Sequence, residues 1–119
     1  MMIEIVDDDD AVRDSTQALL ESYGYTVRTY ASADIFLSSQ KDGLGDCMVV
    51  DQHMPGTTGV EMIEILRQRG VQTPILMLTA KEDAHVEARA KRAGVLKLLR
   101  KPAALEELLH WIEQAGGTA

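Results

Sequence analysis

Five side chains in this sequence have the types needed to receive a phosphoryl group beside a divalent cation. Two carboxylates stand together at Asp7 and Asp8, a third at Asp51, and a hydroxyl and an ammonium follow at Thr79 and Lys101. Clustered carboxylates need a cation to stay ionised side by side, and Mg²⁺ prefers such oxygen ligands together with a phosphate oxygen. Aspartate is also a covalent nucleophile, while hydroxyl and ammonium groups stabilise phosphoryl oxygens. If the fold brings these residues together, they form a phosphoryl-acceptor site.

Each residue also has a simpler interpretation. The acidic run from Asp7 to Asp10 is typical of a solvated loop or a helix N-cap, a role that we assign to Asp9 or Asp10. Asp51 precedes a Pro/Gly loop, Thr79 suits a strand, and Lys101 resembles any surface lysine. For any one of these residues alone, the simpler interpretation is favoured. Their positions in the fold must therefore decide between a phosphoryl-acceptor site and the simpler interpretations.

The predicted elements alternate between strand and helix along the chain. Short apolar runs predict the strands, and apolar residues at helical spacing, followed by glycines, predict the helices. Strands are predicted over residues 2–6, 25–30, 47–50, 75–78 and 95–99. Helices are predicted from residue 11 towards Gly24, from a Ser32 cap towards Gly43 and Gly45, over 60–66 before Gly70, and over 83–93 and 105–112.

This alternation predicts a doubly wound α/β fold, with a parallel sheet covered by helices on both faces. In such folds the functional crevice lies beyond the carboxyl ends of the strands. The candidate residues follow the first, third, fourth and fifth predicted strands, so they converge on this crevice. Their joint position favours the phosphoryl site over the simpler interpretations.

Length and composition limit the remaining possibilities. The chain has 119 residues, which predicts one domain over 1–119. Its net charge of −7 argues against direct nucleic-acid binding. No stretch approaches the about 18 apolar residues of a membrane span and no signal peptide is evident, so we expect a cytoplasmic location without membrane association. The single cysteine, Cys47, lies in an apolar run and is expected to be a buried, inert thiol.

Dispersed motifs along the whole chain resemble the receiver domains of bacterial two-component response regulators. The motifs are Ile5-Val6-Asp7-Asp8, the run from Val49 to Gly56, Leu76-Met77-Leu78-Thr79-Ala80, and Lys101-Pro102. The resemblance implies a flavodoxin-like sheet of five strands, in the order 2-1-3-4-5, with five helices. It also implies that Asp51 is the phosphoacceptor and that Thr79 and Lys101 bind the phosphoryl oxygens. The Lys101-Pro102 bond is expected to be cis, which is otherwise uncommon.

The resemblance implies Mg²⁺ as the cofactor. Asp8 would be a direct ligand, Asp7 would hold metal-bound waters, and Asp51 and the backbone carbonyl of His53 would complete the protein ligands. The side chains of His53 and Lys81 occupy positions that flank the phosphoryl group, and we expect them to modulate the lifetime of the acyl phosphate.

The resemblance also implies partners and a signalling role. The phosphoryl donor would be a sensor histidine kinase, a phosphotransfer protein or a small acyl phosphate. The phosphorylated domain would act on an output domain or an effector protein. Because the protein would catalyse only its own phosphorylation and dephosphorylation, it is not expected to be an enzyme in the ordinary sense.

Leu98 departs from the family pattern, because a Tyr or Phe usually stands three residues before the lysine. Leucine has no ring to swing between buried and exposed states, so another bistable element must relay the signal. Phosphorylation-dependent dimerisation through the face that bears Leu98 is a hypothesis, which an identical sedimentation mass with and without a phosphoryl mimic would contradict.

Three alternatives are open at this point. An interaction module that no longer takes phosphate is one. A phosphatase with an aspartyl-phosphate intermediate is less favoured, because it would carry an acid where this chain has His53. A flavin carrier is disfavoured, because the acidic loop after the first strand would repel a flavin phosphate.

Overall fold

The computed structural model describes residues 1–39, 45–102 and 105–116, and in these ranges five strands alternate with five helices. Gly43 lies outside them. Within the same ranges, no helix has the length and apolar content needed to cross a bilayer. The strands are β1 (Met2–Val6), β2 (Thr26–Tyr30), β3 (Cys47–Asp51), β4 (Ile75–Thr79) and β5 (Lys97–Arg100). The helices are α1 (Asp10–Ser22), α2 (Ala33–Ser39), α3 (Gly59–Gln68), α4 (Ala84–Arg92) and α5 (Leu105–Ala115).

The strands form one parallel sheet in the order β2-β1-β3-β4-β5, which confirms the predicted doubly wound topology. The helices cover both faces. One apolar layer packs α2, α3 and α4 against the sheet, and the other packs α1 and α5 against it. All residues of β3 and β4 are buried, as expected for central strands covered on both sides. Cys47 is among them, and burial raises the pKa of its thiol to about 12.

The bounds of four strands differ from the prediction, and β2 begins at Thr26, one residue later than predicted. The prediction of a fifth strand from residue 95 is wrong by two residues, because the Val95 N–H donates to Ala90 O and so completes the end of α4. The central strands β3 and β4 each continue one residue further than predicted. Asp51 pairs with Leu78, and Thr79 pairs with Arg100, so both candidate residues are the last members of their strands.

A buried carboxylate at Glu4 ties the amino-terminal half of the sheet together. Glu4 is 1% exposed in β1. Its carboxylate accepts hydrogen bonds from the Tyr30 hydroxyl at 2.8 Å and from the Gly45 N–H, and it lies 3.5 Å from the Arg28 guanidinium. One side chain therefore links β1 to the edge strand β2 and to the segment that enters β3.

Replacing Glu4 by alanine is expected to lower the free energy of unfolding by about 3 kcal/mol, because two donors lose their acceptor and a cavity forms. Urea denaturation measures this change. Glu113→Ala, which removes an exposed glutamate from α5, is the matched control. An equal denaturation midpoint for the two variants would contradict a structural role for Glu4.

Candidate functional site

The loop after β1 presents its acids in two different environments. Asp9 is the N-cap of α1, since its carboxylate accepts the Val12 N–H at 3.1 Å, which confirms one of the two predicted caps. The Asp9 N–H donates to Asp7 Oδ1 at 2.9 Å, and Arg13 Nη1 donates to the Asp7 carbonyl at 2.8 Å. These contacts hold Asp7 buried, whereas Asp8 is exposed at the rim of the crevice.

The end of β3 presents Asp51 to the same crevice. Asp51 is 3% exposed, and its Oδ1 accepts the His53 N–H at 3.3 Å. The next residue, Gln52, fixes the start of α3: its carbonyl accepts the Gly59 N–H at 3.1 Å, and its Oε1 accepts the Val60 N–H at 2.8 Å. The strand end and the helix start are thus locked together around Asp51.

The three predicted acids converge. One carboxylate oxygen from each of Asp7, Asp8 and Asp51 lies within 4.8 Å of the others. Hard oxygen donors at this spacing fit Mg²⁺, and the exposed side of the cluster leaves room for water and a phosphate oxygen. The residue types and their geometry therefore suit a divalent cation.

Lys101 reaches the cluster from the end of β5. Its Nζ lies 3.2 Å from Asp51 Oδ1 and 3.5 Å from Asp7 Oδ2. Its backbone N–H donates to the Thr79 carbonyl at 2.8 Å, and the Lys101-Pro102 peptide bond is cis, as predicted. Lys101 is therefore not a free surface lysine, and the simpler interpretation of this residue is wrong.

Burial and charge shift the pKa values of this pair. Burial raises the pKa of the Asp51 carboxyl. The Lys101 ammonium lowers this pKa and the Asp7 carboxylate raises it, so that the pKa of Asp51 is raised overall. Burial acts to lower the pKa of Lys101, but Asp51 and Asp7 together outweigh it, so that pKa is raised. Three carboxylates facing one ammonium leave an excess of two negative charges, which one divalent cation balances.

Thr79 lies at the same edge, buried at the end of β4. Its hydroxyl donates to the Lys81 carbonyl at 3.1 Å, and its oxygen also accepts the Lys81 N–H at 3.3 Å. The Nε2 atom of His53 lies 3.2 Å from the same oxygen. His53 and Lys81, expected to flank the phosphoryl group, therefore both contact Thr79 directly.

Leu98 and Pro102 flank the site without entering the acid cluster. Leu98 is partly buried, lies beside Met77 of β4 and packs against the apolar layer of α2, α3 and α4. The exposed Pro102 borders a largely apolar cavity of about 470 Å³ between α1, β4 and α5. The cavity is lined by Val12, Thr16, Leu78, Ala80, Lys101, Pro102 and Leu108.

Sequence reasoning missed two residues that shape the site, Arg13 and Gln52. Arg13 stands one helical turn after the Asp9 cap, a spacing that permits a contact back to the loop, but a basic residue there is equally compatible with an exposed helix face. Gln52 carries no signal, because a polar residue after a buried strand is typical of loops.

Comparison with known proteins gives a consistent result. The family model for the response regulator receiver domain matches residues 3–113. The transcriptional regulatory protein TdiR of Thauera aromatica is 36% identical over 111 residues, which are 93% of this chain and 49% of TdiR. FixJ of Azorhizobium caulinodans is 36% identical over 100 residues, which are 84% of this chain and 47% of FixJ. The chain thus spans about half the length of these curated relatives.

Solved structures of response regulators have the same fold as this chain. The response regulator StyR superposes with a TM-score of 0.90 at 36% identity, over 98% of this chain and 59% of StyR. A CheY-like receiver domain protein from Methanospirillum hungatei gives a TM-score of 0.91 at 28% identity, over 98% of this chain and 93% of the other. The family match over nearly the whole chain, together with the convergent acids and lysine, shows that this chain belongs to the response regulator receiver domains of two-component systems.

Proposed function

We propose that this domain takes a phosphoryl group onto Asp51 with the help of Mg²⁺ and thereby switches a protein-interaction surface. The observation that carries the proposal is the position of Lys101 Nζ, within 3.5 Å of carboxylate oxygens on both Asp51 and Asp7. A partly buried ammonium at this place can pair with an added phosphoryl charge, and the neighbouring acids supply the oxygen ligands of a metal.

In the proposed reaction, an Asp51 carboxylate oxygen attacks phosphorus and an oxygen–phosphorus bond forms. The bond from phosphorus to the donor breaks, and the donor leaves with the electron pair, as acetate from acetyl phosphate or as the imidazole of a donor histidine. Lys101 pairs with the phosphoryl oxygens, and the Thr79 hydroxyl donates to one of them once it is released from Lys81. Water later attacks phosphorus, and Asp51 leaves as the free carboxylate.

The side chains of Asp7, Asp8 and Asp51, with the backbone carbonyl of His53, would hold Mg²⁺. When bound, the ion supplies positive charge against the phosphoryl oxygens. Asp7 is the best-fixed member of this set, because its backbone and side chain are both held by hydrogen bonds from Arg13 and Asp9.

The proposed partners follow from this chemistry. The donor is a sensor histidine kinase, a phosphotransfer protein or a small acyl phosphate, and residues 1–119 act as one receiver domain in the cytoplasm. Output passes to an output domain or an effector protein, because the matched relatives are about twice as long and are transcriptional regulators. The net charge of −7 disfavours direct nucleic-acid contact by this chain. Dimerisation through the Leu98 face stays a prediction.

Two alternatives are less well supported. A phosphatase of this chemistry would carry an acid two residues after Asp51, where His53 instead contacts Thr79. A receiver-like module without phosphate chemistry would have no need for the pairing of the buried Asp51 with Lys101.

Incubation with acetyl phosphate, followed by intact-mass measurement, tests the proposal. We expect one phosphoryl adduct with Mg²⁺, and formation slower by about 10²- to 10³-fold in EDTA, because the ion contributes several kcal/mol to charge stabilisation. Asp8→Ala should show the same loss, whereas Asp14→Ala on the exposed face of α1 should not. Equal rates in Mg²⁺ and EDTA would contradict the metal site.

A further inference from the structure

The Thr79 hydroxyl is fully engaged by protein groups in this structure. A hydroxyl has one hydrogen to donate and two lone pairs to accept with. The hydrogen is directed at the Lys81 carbonyl, so the Lys81 N–H at 3.3 Å and His53 Nε2 at 3.2 Å, in the tautomer that protonates Nε2, occupy the two lone pairs. A phosphoryl group on Asp51 can gain the Thr79 hydrogen only if this arrangement changes.

The three contacts differ in origin. Both contacts from Lys81 are made by its backbone two residues further on, a local turn that a threonine commonly forms with its own chain. The contact from His53 is different, because it joins the loop after β3 to the end of β4 across 26 positions of sequence. His53 is also anchored beside the acceptor, since its backbone N–H donates to Asp51 Oδ1.

We propose that His53 is a positioning residue that holds the Thr79 oxygen in its resting place, so that its imidazole must release that oxygen when the hydroxyl turns from the Lys81 carbonyl towards a phosphoryl group on Asp51. This inference rests on the proposed function. The His53 side chain bridges the ends of β3 and β4 beside the acceptor, and its own anchor is the carboxylate that becomes phosphorylated.

The contact between His53 and Thr79 gives this chain a side chain that can change position at the site, which Leu98 does not provide. Leu98 is already packed against the apolar layer of α2, α3 and α4 and has no polar group to follow Thr79. His53 is exposed, so its ring is free to turn into solvent when the contact opens. The two arrangements of His53, bound to Thr79 or released, are therefore a bistable element at the site itself.

The test is the rate of adduct formation with acetyl phosphate and Mg²⁺, measured by intact mass and kept separate from the decay rate after removal of the donor. His53→Ala is expected to accelerate formation about two- to tenfold, which corresponds to the net contribution of one hydrogen bond. His53→Gln keeps a side-chain amide that can contact Thr79, so its rate of adduct formation should lie close to the native rate. His85→Ala, which removes an exposed histidine from α4, is the control and should show no change.

A double substitution separates this role from a merely structural one. Thr79→Val removes the hydroxyl with little change in shape, and His53→Ala should have no further effect on formation in that background. The same acceleration in both backgrounds would overturn the proposal, as would an unchanged rate in His53→Ala.

Imidazole ¹⁵N spectra give an independent readout in the unphosphorylated protein. The Nε2 resonance of His53, assigned by its loss in His53→Ala, is expected to move in Thr79→Val, and an unmoved resonance would overturn the contact. If the native protein formed no adduct, the proposed function would fail, while these spectra would still decide whether His53 holds Thr79.

Discussion

Asp51→Asn is expected to abolish the phosphoryl adduct. The amide that replaces the carboxylate is a far weaker nucleophile toward phosphorus, while its size and shape leave the packing at the end of β3 unchanged. Asp51 is 3% exposed and lies 3.2 Å from Lys101, so it is the acid that lies closest to the lysine proposed to pair with an incoming phosphoryl group. Intact mass after incubation with acetyl phosphate and Mg²⁺ measures the loss.

The control for this variant is Asp14→Asn, an identical change on the exposed face of α1, which should leave the adduct at its native level. Circular dichroism of both variants shows whether the fold is retained. An undiminished adduct in Asp51→Asn would mean that another carboxylate accepts the group, and the assignment of Asp51 would be wrong.

Gly59→Ala is expected to lower the free energy of unfolding by about 3 kcal/mol, the upper part of the range for overpacking a buried position. An added Cβ would lie 2.5 Å from the Asp51 carbonyl oxygen and 2.9 Å from the Gln52 Cα. Both are backbone atoms and cannot rotate away. The start of α3 would have to move off the end of β3, and the N–H bonds from Gly59 and Val60 to Gln52 would weaken.

Gly70→Ala at the other end of α3 is the matched control for denaturation. Gly70 has a φ of +83°, so alanine there costs about 1–2 kcal/mol in backbone conformation, but no atom lies within 4 Å of its added Cβ. We expect Gly59→Ala to be the more destabilised of the two and also slower to form the adduct. A smaller loss for Gly59→Ala than for Gly70→Ala would contradict the account of how α3 positions Asp51.

Much of the fold could be predicted from the sequence because its signals are local. Short apolar runs, Ser32 and Asp9 as caps, and glycines after the helices each report on a few neighbouring residues. The convergence of Asp7, Asp51 and Lys101 was also predictable, because parallel strands deliver their carboxyl ends to one edge of a sheet.

The features that escaped prediction depend on contacts between distant elements. Glu4 stands at a position that looks apolar by strand pattern, and its burial depends on Tyr30 and Gly45 arriving from elsewhere in the chain. The contact between His53 and Thr79 likewise depends on how far the ends of β3 and β4 extend relative to each other. The strand register sets this offset, and the local sequence does not reveal it.

The most direct test of the account is to locate the phosphoryl group chemically. Borohydride reduces an aspartyl phosphate to homoserine, and trypsin then separates residues 42–67, which contain Asp51, from residues 1–13, which contain Asp7 and Asp8. Peptide sequencing by mass spectrometry is expected to find homoserine at position 51 alone, in protein that was treated with acetyl phosphate and Mg²⁺. Homoserine in residues 1–13, or at another aspartate of residues 42–67, would contradict the assignment of Asp51 as the phosphoacceptor.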